Sequence, residues 1–214
     1  MYKSFLKRVF DVILSLAAIA VLLVPIAIIA LVVGLTSRGP VFFTQKRVGK
    51  NKKLFTILKF RTMRRGAPKD MPSDDLLDAK RWITPIGRLL RKSGLDELPQ
   101  IFNILIGQMS FVGPRPVLAK HEELILLRDE CGANDVRPGL TGWAQINGRD
   151  KISDFEKAKL DGEYVKRLNK GFFAGVFMDI RCLLGTVPAL LKTDGAHDET
   201  DEKSNNDYSI SKRQ

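Results

Sequence analysis

Apolar residues in this chain form one long run, followed by shorter segments with helical or strand periodicity. The run from Val12 to Leu35 contains 24 residues without a charge, more than the ~18 apolar residues that indicate a membrane-embedded helix. Pro25 lies near its middle, and a proline removes one helical hydrogen bond and collides with the carbonyl four residues before it. The run therefore predicts either a kinked spanning helix or two short helices that enter and leave one leaflet of the bilayer.

The charges beside this run bear on that choice. Basic residues lie on both sides of it, Lys3, Lys7 and Arg8 before and Arg38, Lys46, Arg47, Lys50, Lys52 and Lys53 after. Basic flanks are typical of the cytoplasmic side, and a single span cannot place both flanks there. Each half of the run would be only ~16–20 Å long as a helix, short of the ~30 Å hydrocarbon core. Charge favours a re-entrant hairpin, but the residues alone leave the spanning helix nearly as acceptable.

Strand and helix signals alternate after the run. Two β-rich segments, 40–49 and 54–63, are separated by a basic turn and predict a hairpin. Residues 64–81 are polar and predict a surface loop. Thr84 and Pro85 are the cap and first residue of a short helix that ends near Gly94.

Further helices are predicted towards the C-terminus. One runs from about Val117 to Glu130, and Ser153 caps another that continues to about Leu168. Between them, residues 136–149 form a Gly-rich loop that either binds a flat base or a sugar or simply packs Trp143 into the core. The apolar segment 171–191 has two charged residues at its centre, which favours an interfacial amphipathic helix over a second span.

Composition adds a strong charge imbalance. The chain of 214 residues has a net charge of +11, and its last 22 residues hold six acidic and three basic residues. The preceding body thus carries 32 basic against 18 acidic residues, or +14, which calls for an anionic partner such as lipid or nucleotide phosphates. No nucleic-acid-binding motif accompanies this charge. Cys131, Cys182, His121 and His197 are isolated in sequence, which favours reduced thiols and solvated histidines over a metal site.

Asp96 and Glu97 are the most distinctive candidate site. They precede Pro99 and an apolar helical pattern, so we expect them at a helix N-terminus, where they would be held ionised. The plainer alternative is that Asp96 only caps the helix. Basic residues nearby favour a site for a metal-bound diphosphate, namely Arg88, Arg91, Lys92 and Arg115.

These motifs together resemble the bacterial sugar transferase family, the small monotopic phosphoglycosyl transferases, from Lys7 to about Leu191. The resemblance rests on these residues of the chain: Lys7-Arg8 with Asp11, Pro25, Gly39-Pro40-Val41, Gln45, Arg47, Lys59-Phe60-Arg61-Thr62-Met63, Asp96-Glu97-Leu98-Pro99-Gln100, Met109–Pro116 and Arg137–Gln145. The family commonly has Ser-Pro at the break in its membrane helix, where this chain has Val24-Pro25. With the resemblance added, the re-entrant hairpin ranks ahead of the spanning helix.

The resemblance implies transfer of a sugar-1-phosphate from a UDP-sugar to polyprenyl phosphate at the cytoplasmic face of the bacterial inner membrane. It implies that Asp96 is the nucleophile that forms a phosphosugar intermediate, that Glu97 completes the dyad, and that Mg²⁺ is required and bound by both. Substrate-binding roles are expected for Lys59, Arg61, Arg88, Arg91, Arg115, Arg137 and Gln145. The expected partners are these two substrates and membrane lipid but no nucleic acid, and a homodimer is possible.

The sequence thus predicts a mostly helical α+β fold. We expect a re-entrant membrane hairpin in residues 1–37, a cytoplasmic catalytic domain with a small β-hairpin and interfacial helices in residues 38–192, and a disordered acidic tail in residues 193–214. Two other function classes stay open: a non-catalytic membrane-anchored scaffold, and a nucleic-acid binder with salt-sensitive affinity.

Overall fold

The structure, a computed structural model, describes residues 5–67, 79–148 and 152–191. It is mostly helical, as predicted, and has two small sheets where the sequence predicted one β-hairpin. The acidic tail and most of the predicted loop 64–81 lie outside the described residues, and the end of that loop is a helical turn. The elements are α1 (Lys7–Thr36), β1 (Phe42–Val48), β2 (Leu54–Phe60), α2 (Ala79–Trp82), α3 (Pro85–Ser93), α4 (Gln100–Leu105), β3 (Ser110–Val112), α5 (Glu122–Glu130), β4 (Gly139–Thr141), α6 (Trp143–Asn147), α7 (Asp154–Asn169) and α8 (Phe172–Leu191).

Helix α1 runs without interruption through Pro25, so the predicted division into two helices is not observed. A proline removes only one hydrogen bond, and the surrounding Ala, Leu and Ile residues favour a helix on both sides of it. Buried and half-buried positions recur every three or four residues along α1, from Lys7 through Asp11 and Ile26 to Val33. One stripe of the helix therefore contacts the rest of the protein, while the other faces expose apolar side chains.

The predicted hairpin is confirmed. Strands β1 and β2 pair antiparallel, with Phe42 opposite Phe60 and Val48 opposite Leu54. The turn between them places Asn51 and Lys52 in the left-handed region, with φ of 53° and 59°. The second sheet is a short parallel pair of β3 and β4, with Ser110 opposite Gly139.

Both predicted helix caps near the hairpin and in the C-terminal half are present. The Thr84 hydroxyl accepts a hydrogen bond from the Gly87 amide at 3.0 Å, and Gly94 ends α3 with φ of 69°. Ser153 and Glu156 form a capping box at the start of α7. These ends depend on neighbouring residues only, which explains why sequence signals predict them.

Two predicted boundaries are wrong. The helix expected from Val117 begins at Glu122, because the Val117 carbonyl accepts a hydrogen bond from the Val48 amide at 2.9 Å and thereby continues the end of β1. Residues 136–149 are not one loop, since they contain β4 and the short helix α6.

Among the residues that the structure describes, buried apolar side chains form three clusters. The largest joins β3, α7 and α8 through Val112, Tyr164 and Met178. A second joins α1 to β2 and α3 through Val33, Phe60 and Leu90, and a third joins β2 to α4 through Ile57 and Ile104. The second cluster attaches the C-terminal half of α1 to the same body that holds the candidate site.

Helix α8 is amphipathic, and of its two charged residues Asp179 is buried whereas Arg181 is exposed beside Trp143. Asp179 is buried and accepts a hydrogen bond from the Tyr164 hydroxyl at 2.8 Å. The exposed face of α8 is apolar and includes Phe173, Phe177 and Leu184, which are 84%, 67% and 70% exposed. Both α1 and α8 are long and apolar enough to cross a membrane by length and composition. For α8, the inward charge and outward apolar face suit a helix that lies in an interface.

Candidate active site

Asp96 and Glu97 lie in a short 3-10 turn, Leu95–Glu97, between α3 and α4. The expected position at a helix N-terminus is therefore wrong, because α4 begins only at Gln100 and neither carboxylate caps it. The left-handed Gly94 reverses the chain after α3 and delivers the pair into this turn. The carboxylates are held by the turn and by basic side chains around it.

Glu97 is bonded to two of the predicted phosphate-binding cations. The Lys59 ammonium lies 2.6 Å from its Oε1, and the Arg115 guanidinium lies 3.4 Å from the same oxygen. The Lys59 and Glu97 side chains are 18% and 20% exposed, whereas Arg115 is 38% exposed. Arg115 is thus the most accessible member of the group and the best placed to meet an incoming anion.

Lys59 is positioned by an amide that completes the outer edge of β2. The Asn103 side chain of α4 accepts a hydrogen bond from the Leu58 amide at 3.0 Å and donates to the Thr56 carbonyl at 2.8 Å. This side chain acts as a substitute strand partner, so β2 is fixed on both edges. The ammonium of Lys59 consequently projects from a rigid strand.

Arg115 is positioned by close contact between two backbones. A side chain at Gly139 or Gly142 would collide with the backbone of Gly113, so glycine is required where β4 passes the loop after β3. The Arg115 carbonyl also accepts a hydrogen bond from Arg128 at 3.0 Å, and Arg128 forms a buried ion pair with Asp161 at 2.7 Å. These contacts hold the loop without using the Arg115 guanidinium.

Asp96 is more buried than its charged neighbours in the sequence suggest. Burial raises its pKa above the ordinary 3.8, and Glu97 acts in the same direction, while Lys59 and Arg91 oppose the rise. The sequence-based expectation was that a helix end would hold Asp96 ionised. In the structure, Lys59 and Arg91 favour the ionised form of Asp96. Burial raises the pKa of Asp96 by more than these cations lower it.

Arg47 belongs to this cluster although the sequence analysis gave it no site role. Its guanidinium donates to the Gln45 side chain at 2.6 Å and to the Pro116 carbonyl at 3.3 Å. Burial and the nearby Arg115 lower its pKa to about 10, against the opposing effect of Glu97. Strand alternation was the available signal, because Gln45 and Arg47 are two residues apart in β1 and share a face.

Arg91 also lies at the site, and its guanidinium donates to the Thr62 hydroxyl at 2.8 Å. The remaining predicted substrate-binding residues lie elsewhere. Arg61 is buried and donates to the Ser37 carbonyl at the end of α1, and Arg88 is exposed on α3. Arg137 donates to the Gly107 carbonyl at 2.8 Å, beyond the end of α4. The substrate-binding role of these three stays a prediction.

Gln145 and Trp143 have structural partners. Gln145 donates to the Leu140 carbonyl at 3.0 Å, and its buried Oε1 lies beside Gly142 without a hydrogen bond. Trp143 packs against the core and donates to Glu163 at 3.1 Å, with Arg181 stacked on its ring at 4.7 Å. Trp143 thus packs against the core, and the binding of a base or a sugar by this segment stays a prediction.

The donor set at the site fits Mg²⁺ in a limited way. No cluster of three or more Asp, Glu, His or Cys side chains that could hold a metal occurs in residues 5–67, 79–148 and 152–191. Two adjacent carboxylates, Asp96 and Glu97, are present, and Mg²⁺ commonly binds through one or two carboxylates together with substrate phosphates. The site is thus suited to a metal ion that binds together with a diphosphate, whose oxygens complete the coordination of the metal.

Comparison with known proteins identifies the family of this chain. Residues 2–193 match the model of the family described as "Bacterial sugar transferase". The chain belongs to the bacterial sugar transferase family. With the exposed apolar faces of α1 and α8, this membership identifies it as a membrane-associated member of the family.

Several relatives are similar over most of the chain. A protein of Bacillus subtilis called "Uncharacterized sugar transferase EpsL" is 41% identical over 89% of this chain and 89% of its own length. The "UDP-glucose:undecaprenyl-phosphate glucose-1-phosphate transferase" of Klebsiella pneumoniae is 39% identical over 85% of this chain but only 39% of its own length. The "Undecaprenyl-phosphate galactose phosphotransferase" of Salmonella typhimurium is 33% identical over 90% of this chain and 42% of its own length. The chain therefore spans nearly all of the first relative and about two fifths of the other two.

Proposed function

We propose that this protein transfers a sugar-1-phosphate from a UDP-sugar to polyprenyl phosphate, with Asp96 as a covalent nucleophile. The observation that carries the proposal is a part-buried carboxylate pair surrounded by Lys59, Arg91 and Arg115. Relatives named for transfer of glucose-1-phosphate or galactose phosphate to undecaprenyl phosphate support the same substrate classes. The product is the first lipid-linked intermediate of a bacterial surface glycan or glycoprotein glycan.

The reaction consists of two displacements at one phosphorus atom. A carboxylate oxygen of Asp96 attacks the phosphorus that bears the sugar, the bond to the bridging oxygen of the diphosphate breaks, and UMP leaves with that oxygen. A phosphate oxygen of the polyprenyl phosphate then attacks the same phosphorus, and the bond to Asp96 breaks. Asp96 is regenerated, and the soluble donor and the lipid acceptor use the site in turn.

The chain's cations would neutralise the charge of the transferring group. Arg115 can present two parallel N–H donors to phosphate oxygens, and its backbone is already fixed by Arg128. Lys59 holds Glu97 and keeps a positive charge beside Asp96. Mg²⁺, held by Asp96 and Glu97, would supply further neutralisation of the diphosphate when bound. Phosphoryl transfer depends mainly on such positioning and charge.

We also propose that both ends of α1 lie on the cytoplasmic side. Near its start, the Arg8 guanidinium donates to the carbonyls of Ile104 and Leu105 at 2.6 Å. Near its end, Val33 packs in the cluster with Phe60 and Leu90. Because both ends contact one body, α1 lies along that body. We therefore prefer a helix that enters one leaflet with its exposed apolar faces over a helix that crosses the bilayer.

The proposed chemistry predicts an adduct that can be isolated without the acceptor. Incubation of the protein with Mg²⁺ and a panel of UDP-sugars should release about one UMP per active site and add the mass of a sugar phosphate to the chain. Asp96→Asn should form no adduct and lose turnover, because an amide does not attack phosphorus. Asp129→Asn, which changes an exposed aspartate on α5, is the matched control and should react like the parent.

The covalent intermediate and the transfer reaction can be ruled out separately. UMP release that always requires polyprenyl phosphate, with no adduct, would rule out the covalent intermediate but keep the transfer. Absence of UMP release with every UDP-sugar and acceptor would rule out the transfer itself.

A further inference from the structure

A groove of about 510 Å³ lies between α6 and α8, and neither Asp96 nor Glu97 lines it. Its walls are mostly apolar, and the polar side chains in its lining are Asn147 and one cation, Arg181. The lining includes Trp143, Ile146, Phe177, Ile180, Arg181 and Leu184. The Arg181 guanidinium is stacked on the Trp143 ring at 4.7 Å, which holds the positive charge at a fixed point of the rim.

The groove opens on the apolar side of α8. Phe177 and Leu184 belong to the lining and also to the exposed face of the helix, at 67% and 70% exposure. A face this apolar is stable beside lipid rather than water. An occupant that enters from the lipid would therefore meet apolar walls first and a single cation beside them, which suits an apolar chain with an anionic head.

The inner wall of the groove is connected to the loop that carries Arg115. Helix α6 begins directly after Gly142, which lies against the carbonyl of Gly113. The Gly113 amide donates to the Thr141 carbonyl at 2.8 Å, and Gly113 is two residues before Arg115. On the outer side, the hydroxyls of Thr141 and Thr186 are 2.7 Å apart and join β4 to α8. The groove and Arg115 thus belong to one connected unit.

We propose that this groove is the docking site of the polyprenyl phosphate acceptor. The apolar walls take the isoprene units next to the phosphate, the rest of the chain stays in the bilayer, and Arg181 attracts the phosphate towards the loop that carries Arg115. This inference rests on the proposed transfer reaction. An ordinary phospholipid is the competing occupant, and the groove's connection to the Arg115 loop favours the acceptor.

Kinetics can test the groove with a closely matched control. Leu184→Trp fills the groove, whereas Leu183→Trp places the same side chain on the adjacent residue of α8, which does not line it. Leu184→Trp should raise the KM for undecaprenyl phosphate several-fold, and Arg181→Gln should raise it about tenfold through loss of a charge-assisted contact. Leu183→Trp should match the parent. All three should keep the parent's acceptor-independent burst of UMP and its KM for the UDP-sugar.

Photo-crosslinking tests occupancy without relying on turnover. A benzophenone amino acid at position 180, irradiated in phosphatidylglycerol nanodiscs that contain undecaprenyl phosphate, should yield an adduct with the mass of the isoprenoid. Added farnesyl phosphate should compete with it. Adducts of phosphatidylglycerol alone, or an unchanged acceptor KM in Leu184→Trp, would overturn the groove assignment. Absence of the acceptor-independent UMP burst in the parent would instead defeat the covalent intermediate. Absence of UMP release with every UDP-sugar and acceptor would defeat the transfer reaction, while the crosslink would still report what the groove binds.

Discussion

Asp96 is part-buried beside two cations, and this environment sets its protonation. Burial raises the pKa of Asp96 above 3.8, so the folded protein holds a proton there at pH values where the unfolded chain has already released it. The stability associated with this group is therefore greatest below the unfolded pKa and is lost as the pH rises through the folded pKa. Where Asp96 is ionised, its part-buried charge therefore lowers the stability of the fold.

The raised pKa of Asp96 predicts how Asp96→Asn changes thermal stability in metal-free buffer. An amide of similar shape removes the buried charge, so the unfolding temperature of Asp96→Asn at pH 8 should equal or exceed that of the parent. The difference should shrink towards pH 4, where the parent's Asp96 becomes protonated. Thermal unfolding in detergent with EDTA measures it. A variant that is clearly less stable than the parent at pH 8 would show that Lys59 and Arg91 outweigh burial.

At the scale of elements, α1 is attached to the catalytic body by buried polar groups in its first two turns. The Lys7 ammonium lies 2.6 Å from Asp179 of α8, and both side chains are 11% exposed. The Asp11 carboxylate accepts hydrogen bonds from the Ser110 hydroxyl at 2.9 Å and the Phe111 amide at 3.1 Å. Removing one partner of such a pair leaves a buried charge without its counter-ion.

We expect Asp179→Asn to destabilise the protein by about 3–5 kcal/mol, the range for breaking a buried pair. The double variant Lys7→Met with Asp179→Asn should recover part of that loss, because no unpaired ammonium is then buried. Lys52 and Asp129 are a matched control pair at 2.7 Å with side chains 55% and 36% exposed, and Lys52→Met should cost about 0–1 kcal/mol. Chemical unfolding in micelles measures all three. Equal losses at the two pairs would mean that the α1–α8 contact is not buried in solution.

At the scale of the whole molecule, the arrangement of α1 predicts which side of the membrane each end occupies. A continuous helix of 30 residues is ~45 Å long and could reach across the ~30 Å hydrocarbon core. Its two ends nevertheless contact the same catalytic body, through Arg8 at one end and Val33 at the other. The exposed apolar face between them is the part that would enter the lipid.

Topology can be read with a cysteine at position 4, in a chain that carries Cys131→Ser and Cys182→Ala. A membrane-impermeant maleimide should not label this cysteine on intact spheroplasts but should label it in inverted membrane vesicles. Pro25→Ala restores the missing hydrogen bond and favours a straight helix, so outside labelling and loss of activity should increase in that variant. Outside labelling of the chain that retains Pro25 would establish a spanning helix.

Local chemistry explains which features could be predicted from the sequence. Strand alternation and a short basic turn specify the β1–β2 hairpin, and the caps Thr84, Gly94 and Ser153 define helix ends through bonds to adjacent residues. The motif resemblance predicts that Asp96, Glu97 and Arg115 belong to one site. Each of these signals acts over a few residues or is carried by the motif itself.

Only the tertiary structure decided how distant segments share burial and charge. Lys7 and Asp179 are 172 residues apart, and nothing in either local pattern indicates that they pair inside the protein. Arg47 joins the site because β1 faces the Arg115 loop, and α4 starts late because the carboxylates occupy their own turn. Helix periodicity tells which side of an element is apolar, but the partner that covers that side depends on the packing of the whole chain, since hydrophobic contact has no preferred direction.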